Sequence, residues 1–234
     1  MVERVLLAPE AWDGSEVTPL IDAVRARGWS IEEVELEEVR ELADTVTPQP
    51  VLAIARIPSW GWQDIGVSSV LVLDGIQDPG NVGTLLRTGA ALGIGGVLCL
   101  PGTVDPWSPK AVRASAGSGL RVPVLRTSWG ETREQLRTRE LPLWAADPEG
   151  DPLSRQDPVP PAVAVALGSE SHGLSTEARA AADRRISIEM PGPVASLNVA
   201  AAGAILLDRL VSRTAPPHDR IDQSGVEDAK QGGV

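Results

Sequence analysis

Hydrophobic and polar positions divide the chain into short apolar runs separated by polar, glycine- or proline-rich breaks. Residues 70–73, Val-Leu-Val-Leu, are too few for a helix and fit a buried strand. Asp74-Gly75 ends that run, and Asp78-Pro79-Gly80-Asn81 supplies turn chemistry. Val82, Leu85, Leu86, Ala90 and Leu92 then recur at helical spacing up to Gly93, the expected stop. Gly95-Gly96 leads into 97–100, a second buried strand. This strand, turn, helix, strand unit predicts a parallel sheet with the polar turn at its carboxyl edge, where α/β proteins bind ligands.

The same pattern predicts further elements on either side. Upstream are a strand at 5–8, an amphipathic helix at 19–27 ending at Gly28, a strand after Trp29-Ser30-Ile31, and a strand at 51–55. Between them, six Glu within 32–41 surround Val34, Leu36 and Val39 and read as a solvated face. Ser59-Trp60-Gly61-Trp62 reads as a linker. Downstream of a loop at 101–109, Ser108 and Pro109 suit the cap and first position of a short helix. Then follow a strand at 122–125, a helix at 131–139, a strand at 141–146 and a Pro- and Asp-rich loop at 147–161, the least ordered internal stretch. A buried strand at 162–167 enters Gly168-Ser169-Glu170-Ser171-His172-Gly173. A strand from Arg184 reaches Pro191-Gly192-Pro193, and a helix rich in Ala and Gly begins near Ser196, its expected N-cap. The tail is expected to be disordered.

Composition narrows the classes. With 234 residues, 42% hydrophobic and 23% charged, the chain can bury a proper core. No apolar run is long enough for a bilayer and the first residues do not resemble a signal peptide, so a cytoplasmic protein without a membrane is expected. One Cys, two His and no ligand spacing argue against a disulfide framework or a metal site. All seven aromatics are Trp, which removes the interleaved aromatic platform used for base stacking. The net charge of −11 disfavours nucleic acid until its distribution is considered. Residues 1–60 carry 12 acidic and 5 basic groups, whereas 61–211 carry 16 and 13. A local positive face in the larger segment is therefore compatible with the total.

Candidate chemistry lies in the breaks. Arg87 is the only charged residue between Pro79 and Pro101. On the unit alone it is equally a guanidinium snorkelling from a rim, one paired with a structural carboxylate, or a functional group. Glu170, flanked by Gly168 and Gly173, reads first as a loop residue, and so does His172, which has no recognisable triad partner. Neither GxGxxG nor GxxxxGK[ST] follows the central strand, so the dinucleotide and P-loop fingerprints are absent.

Three strand-end stretches, GIQDPGNVGTLLRTGAALG, LGSESHGLS and ISIEMPGPVASLNVAAAGAILL, resemble in this order the three motifs of the SpoU-type RNA ribose 2′-O-methyltransferases of the SPOUT superfamily. The resemblance runs from about Ser69 to Leu210, and SPKAVRASAGSGLRVPV resembles the family's intervening segment. It implies a SPOUT-type α/β parallel-sheet domain tied in a deep trefoil knot, preceded by a small αβ substrate-binding module. The implied organisation is a ribosomal-protein-like RNA-binding module at 1–58, lacking its opening strand and helix, a linker at 59–68, the knotted methyltransferase domain at 69–212 and a disordered tail at 213–234. It also implies S-adenosylmethionine as cofactor, held at Gly168, Ile188 and Leu197. Arg87, Asn81, Glu170, Ser196 and Asn198 map onto the catalytic site, with Arg87 positioning the RNA and Glu170 orienting Arg87 or the backbone around it. Glu189 stands where the family usually has Pro.

The resulting expectation is methylation of a ribose 2′-hydroxyl in RNA, ribosomal RNA before transfer RNA, by a homodimer. Two other classes compete: a non-catalytic RNA-binding or ribosome-assembly protein of the same fold, and a nucleotide-binding α/β protein that would take ATP or NAD.

Overall fold

The computed structural model describes residues 2–11, 17–43, 45, 47–194 and 196–211. The chain divides into two compact units, Met1–Ser59 and Trp60–Val234. Among the described residues no helix is long and apolar enough to cross a membrane.

The smaller unit contains β1 (Val2–Leu7), α1 (Thr18–Ala26), β2 (Ser30–Glu33), α2 (Leu36–Leu42) and β3 (Val51–Ala55). Its sheet has the order β2-β1-β3, with β2 parallel and β3 antiparallel to β1. Val5 and Leu7 of β1 pack with Ala11 and with Ile21 and Val24, three residues apart on one face of α1. Gly28, at φ 67°, takes the left-handed turn that lets the chain leave α1. All six Glu of the acidic run are exposed, while Val39 alone turns fully inward from α2.

In the larger unit, β4 (Val70–Asp74), α3 (Pro79–Leu92) and β5 (Gly96–Cys99) form the expected unit, followed by α4 (Pro109–Ala114), β6 (Val124–Arg126), α5 (Trp129–Thr138) and β7 (Leu143–Pro152). The chain continues through β8 (Ala164–Gly168), α6 (Thr176–Ala181), β9 (Arg184–Ser187) and α7 (Val199–Leu210). The six strands are all parallel, in the order β6-β5-β4-β8-β7-β9. Strand alternation sorts the apolar side chains onto two faces. Leu71, Leu73, Val97, Val165 and Leu167 pack with Leu85 and Leu86 of α3 and Leu206 and Leu207 of α7. Val70, Val72, Leu98, Ala164 and Ala166 pack with Leu136 of α5 and Ala178 of α6 on the other. Because every strand runs the same way, all the loops that follow strands gather at one edge of the sheet.

Several local expectations change. Residues 147–161 are not uniformly loop: β7 continues to Pro152 along β9, with a register shift between Ala146 and Asp151. Asp147, 3% exposed, faces Arg185 at 3.4 Å and Arg179 at 3.5 Å, and Ser187 Oγ donates to the Gly150 carbonyl at 2.9 Å. Those side-chain anchors fix a stretch whose Pro and Asp content favours a loop. The Ser108 hydroxyl does not cap α4; it is buried without a partner, and Pro109 alone opens the helix. Trp60 and Trp62 pack against the second core and Ile65 is buried in it, so the stretch read as a linker is built into the larger unit. Helix α6, capped by Ser175, was not expected. The stretch 213–234, expected to be disordered, lies outside the described residues.

Candidate active site

The site begins where β4 ends. Gly75, at φ 75°, turns the chain, and its N–H donates to Thr103 Oγ1 at 3.0 Å while that hydroxyl donates to the Leu73 carbonyl at 2.8 Å. One hydroxyl thus ties the loop after β5 to the turn after β4. Asp78 is the N-cap of α3, accepting from the Asn81 N–H at 2.9 Å, with Pro79 preset for the first turn. Lys110 Nζ pairs with the other Asp78 oxygen at 3.2 Å. The Asn81 N–H first, and then Lys110, hold the Asp78 carboxyl below its ordinary value. The cap therefore stays ionised and fixes the third residue of α3, Asn81, at the sheet edge.

Asn81 uses both ends of its amide. Its Nδ2 donates to Glu170 Oε1 in the loop after β8, and its Oδ1 accepts from Asn198 Nδ2 at 3.0 Å. Asn198 in turn is the N-cap of α7, its Oδ1 accepting from Ala200 N–H at 2.9 Å and Ala201 N–H at 3.3 Å. Ser196, the expected cap, is exposed and lies outside the helix. The correction has a packing cause. Val199 and Ala200 are buried, and a Cβ on Gly203 would stand 2.3 Å from Leu85 Cδ2, so seating α7 on α3 sets its first turn at Val199. Asn81, Glu170 and Asn198, from three separate motifs, are thereby joined in one polar chain on partly solvated ground.

The other expected site residues are not bonded into that chain. Arg87 is exposed and, among the described residues, makes no ion pair or hydrogen bond. Glu170 engages Asn81 instead of Arg87, because its reach goes to the start of α3. Gly168 closes β8 in register with Asp74, and a Cβ there would stand 2.3 Å from the backbone of Gly173 and Leu174. Ile188 is half-buried against the core, and Leu197 is 37% exposed. From Met190 to Leu197 the described backbone makes no bond to other backbone, leaving its N–H and C=O groups beside apolar Ile188, Val194 and Leu197. That donor set, unpaired amides with apolar side chains, fits an adenosyl group held mainly by backbone.

Sequence reasoning missed the residues that hold this edge together. Asp74, read only as the end of a run, is 5% exposed and accepts from Ser175 N–H at 2.7 Å and Trp129 Nε1 at 3.2 Å. It anchors the far end of the loop that carries Glu170. A carboxylate closing a fully apolar strand was the available signal. Lys110 and Thr103 gave none, since their partners lie about thirty residues away. Ser171 Oγ lies 2.8 Å from Nδ1 of its neighbour His172, and no carboxylate completes a triad with them among the described residues.

A six-stranded parallel sheet with three motif loops tied at its carboxyl edge defines an α/β protein with a candidate ligand site at that edge. The profile of the SpoU rRNA Methylase family matches residues 68–208, and the chain belongs to that family. An uncharacterised tRNA/rRNA methyltransferase of Synechocystis is 35% identical over 73% of this chain, and the chain spans 63% of that relative's length. The 23S rRNA (guanosine(2553)-2′-O)-methyltransferase RlmP of Bacillus subtilis is 29% identical over 72% of this chain and 67% of its own. Among solved structures, the SpoU methyltransferase AviRb from Streptomyces viridochromogenes, in complex with AdoMet, superposes with a TM-score of 0.79 at 26% identity, covering 89% of this chain and 82% of that one.

Proposed function

We propose that this protein transfers a methyl group from S-adenosylmethionine to a ribose 2′-hydroxyl of RNA, with ribosomal RNA as the substrate. The observation that carries the reading is the chain of side chains through Asn81, which links Glu170 and Asn198 across three motifs. The family membership and the 2′-O activity in the RlmP name support it further. When bound, S-adenosylmethionine supplies a methyl carbon on a cationic sulfur. The residues of the site would hold the ribose 2′-hydroxyl in line with that carbon, so that transfer would release neutral S-adenosylhomocysteine and pass the hydroxyl proton to water.

The protein's part is alignment and proton handling. Arg87, exposed and, among the described residues, unpaired on α3, is free to hold an RNA phosphate and to donate to the 2′-oxygen as negative charge develops there. Glu170 fixes Asn81; Asn81 and Asn198 fix the entry to α3 and α7; Ser196 offers an exposed hydroxyl to the RNA. Gly168, Ile188 and Leu197 belong to the cofactor loops. The proposal includes the knotted path through β8, β9 and α7, a homodimer, a cytoplasmic location and a substrate-binding role for the smaller unit.

The test is transfer of labelled methyl from S-adenosylmethionine to ribosomal RNA lacking this modification, followed by digestion to nucleosides. The expected product is a 2′-O-methylated nucleoside, abolished by Arg87→Ala. Arg87→Lys is expected to lose at least about tenfold in rate, because an ammonium lacks the planar fork. No methylated nucleoside despite measurable cofactor binding would favour the non-catalytic RNA-binding reading.

A further inference from the structure

One stretch of this acidic protein is locally basic, whereas the exposed Arg133 and Arg137 of α5 lie among Glu131, Glu134 and Glu140. From Pro79 to Arg121 the chain holds four cations, Arg87, Lys110, Arg113 and Arg121, against one anion, Asp105, in a molecule of net charge −11. Asp105 faces Arg126 at 3.7 Å, and Lys110 is taken by Asp78. That leaves Arg87, Arg113 and Arg121 exposed and, among the described residues, without a carboxylate or hydrogen-bond partner. Elsewhere in this unit several arginines are tied down: Arg139 to the Ile65 carbonyl, Arg184 to Asp157, Arg185 to Asp147 and Arg209 to the Leu153 carbonyl.

The packing draws together the segments that carry these three residues. A Cβ on Gly83 would stand 2.5 Å from Ala114 Cβ and 2.4 Å from the Ala111 carbonyl oxygen, so α3 lies directly on the last turn of α4 that carries Arg113. One helical turn later, Leu86 reaches Gly119, in the 3-10 turn Ser118–Leu120 just before Arg121. Arg87 follows Gly83 by four residues and therefore lies along the same side of α3. We propose that α3, α4 and this 3-10 turn form a phosphate-binding track for the RNA strand, in which Arg113 and Arg121 lead toward Arg87 and the Asn81 centre. This rests on the RNA-methylation reading. RNA is favoured over other acidic partners because α3 carries both Arg87 and, in its first turn, Asn81 of the candidate site.

The full chain is titrated against fluorescein-labelled fragmented ribosomal RNA from 50 to 200 mM salt. Each lost phosphate contact lowers the slope of log affinity against log salt by about 0.7–0.9. Arg113→Gln with Arg121→Gln should lower it by about 1.4–1.8, so that the wild-type advantage shrinks roughly tenfold across that range. Arg113→Lys with Arg121→Lys should keep the slope. Arg133→Gln with Arg137→Gln removes the same charge from exposed positions on α5, on the other face of the sheet, and should leave it unchanged. Unaltered cofactor affinity and circular dichroism establish that each variant folds. Equal slope losses from both Gln pairs, or none from the first, overturn the track while leaving the enzyme reading intact. Tighter binding of anionic lipid vesicles than of RNA, lost with the same pair, also overturns it. A wild-type protein that binds no RNA at 50 mM salt removes both readings together.

Discussion

The polar chain through Asn81 makes a quantitative demand on catalysis. Asn81→Ala removes a hydrogen bond to the Glu170 side chain and one from Asn198. A bond to a charged partner contributes about 1.5–3 kcal/mol net. The lower half of that range applies, because Glu170 is exposed and water can replace its partner. If the bond acts in the transition state, about 1.4 kcal/mol per factor of ten gives a fall in kcat/KM of roughly 10- to 40-fold. Glu170→Ala breaks the same contact and should cost about as much. Acting independently, the two losses would multiply to roughly 100- to 1,600-fold. Acting through one contact, the double variant should be no worse than Asn81→Ala alone, a coupling of about 1.5–2.3 kcal/mol. Initial rates of labelled methyl transfer at saturating cofactor measure all four corners of the cycle. Thermal unfolding should move little, since neither side chain is core. Losses that multiply, or single variants with ordinary rates, would refute the role of Asn81 as the junction of the site.

Other residues give separate tests. Gly168→Ala forces a Cβ onto the backbone of Gly173 and Leu174, which two bonds between Ser169 and Gly173 hold at 2.8 and 3.0 Å. It should cost about 1–3 kcal/mol, read as a Tm lower by several degrees, and weaken cofactor binding in calorimetry. Asp78 is held below its ordinary value of 3.8, so its contribution is complete above that pH and disappears as pH falls through the lowered value. Asp78→Asn still caps α3 but does not titrate, so in urea unfolding it should be slightly less stable than wild type near neutrality, with the gap closing in acid. Burial pushes the Cys99 thiol up to about 12, so native protein at mildly alkaline pH should resist iodoacetamide, whereas unfolded protein reacts.

Elements were legible in the sequence wherever apolar spacing and punctuation agreed. Gly93 ends α3 at φ 77°, as its position after Leu92 indicated, and β3 falls on 51–55 as expected. Choices between chemically equivalent residues were not legible. Ser196 and Asn198 can both cap a helix; the fit of Gly203 against Leu85 and Leu167 selects Asn198. Helix α6 stayed hidden because Ser175 and Thr176 continue a polar loop, and it stands by packing Ala178 into the second core. The loops bearing the site could be located from strand ends, but no local spacing reveals that Glu170 bonds Asn81, 89 residues away, instead of Arg87. Asp74 was hidden for the same reason, its partners being 55 and 101 residues distant.

Those separations also set a timetable. Synthesis delivers Asn81 early, Glu170 only after 89 further residues and Asn198 after 117. At about 5–20 residues per second the nascent chain spends several seconds holding one member of the network without the others. The contacts that close the site are among the longest-range in the chain, the class whose entropy is recovered last. A ribosome that stalls before Asn198 therefore holds a chain whose polar network is still open, and that network closes only when α7 has emerged and docked.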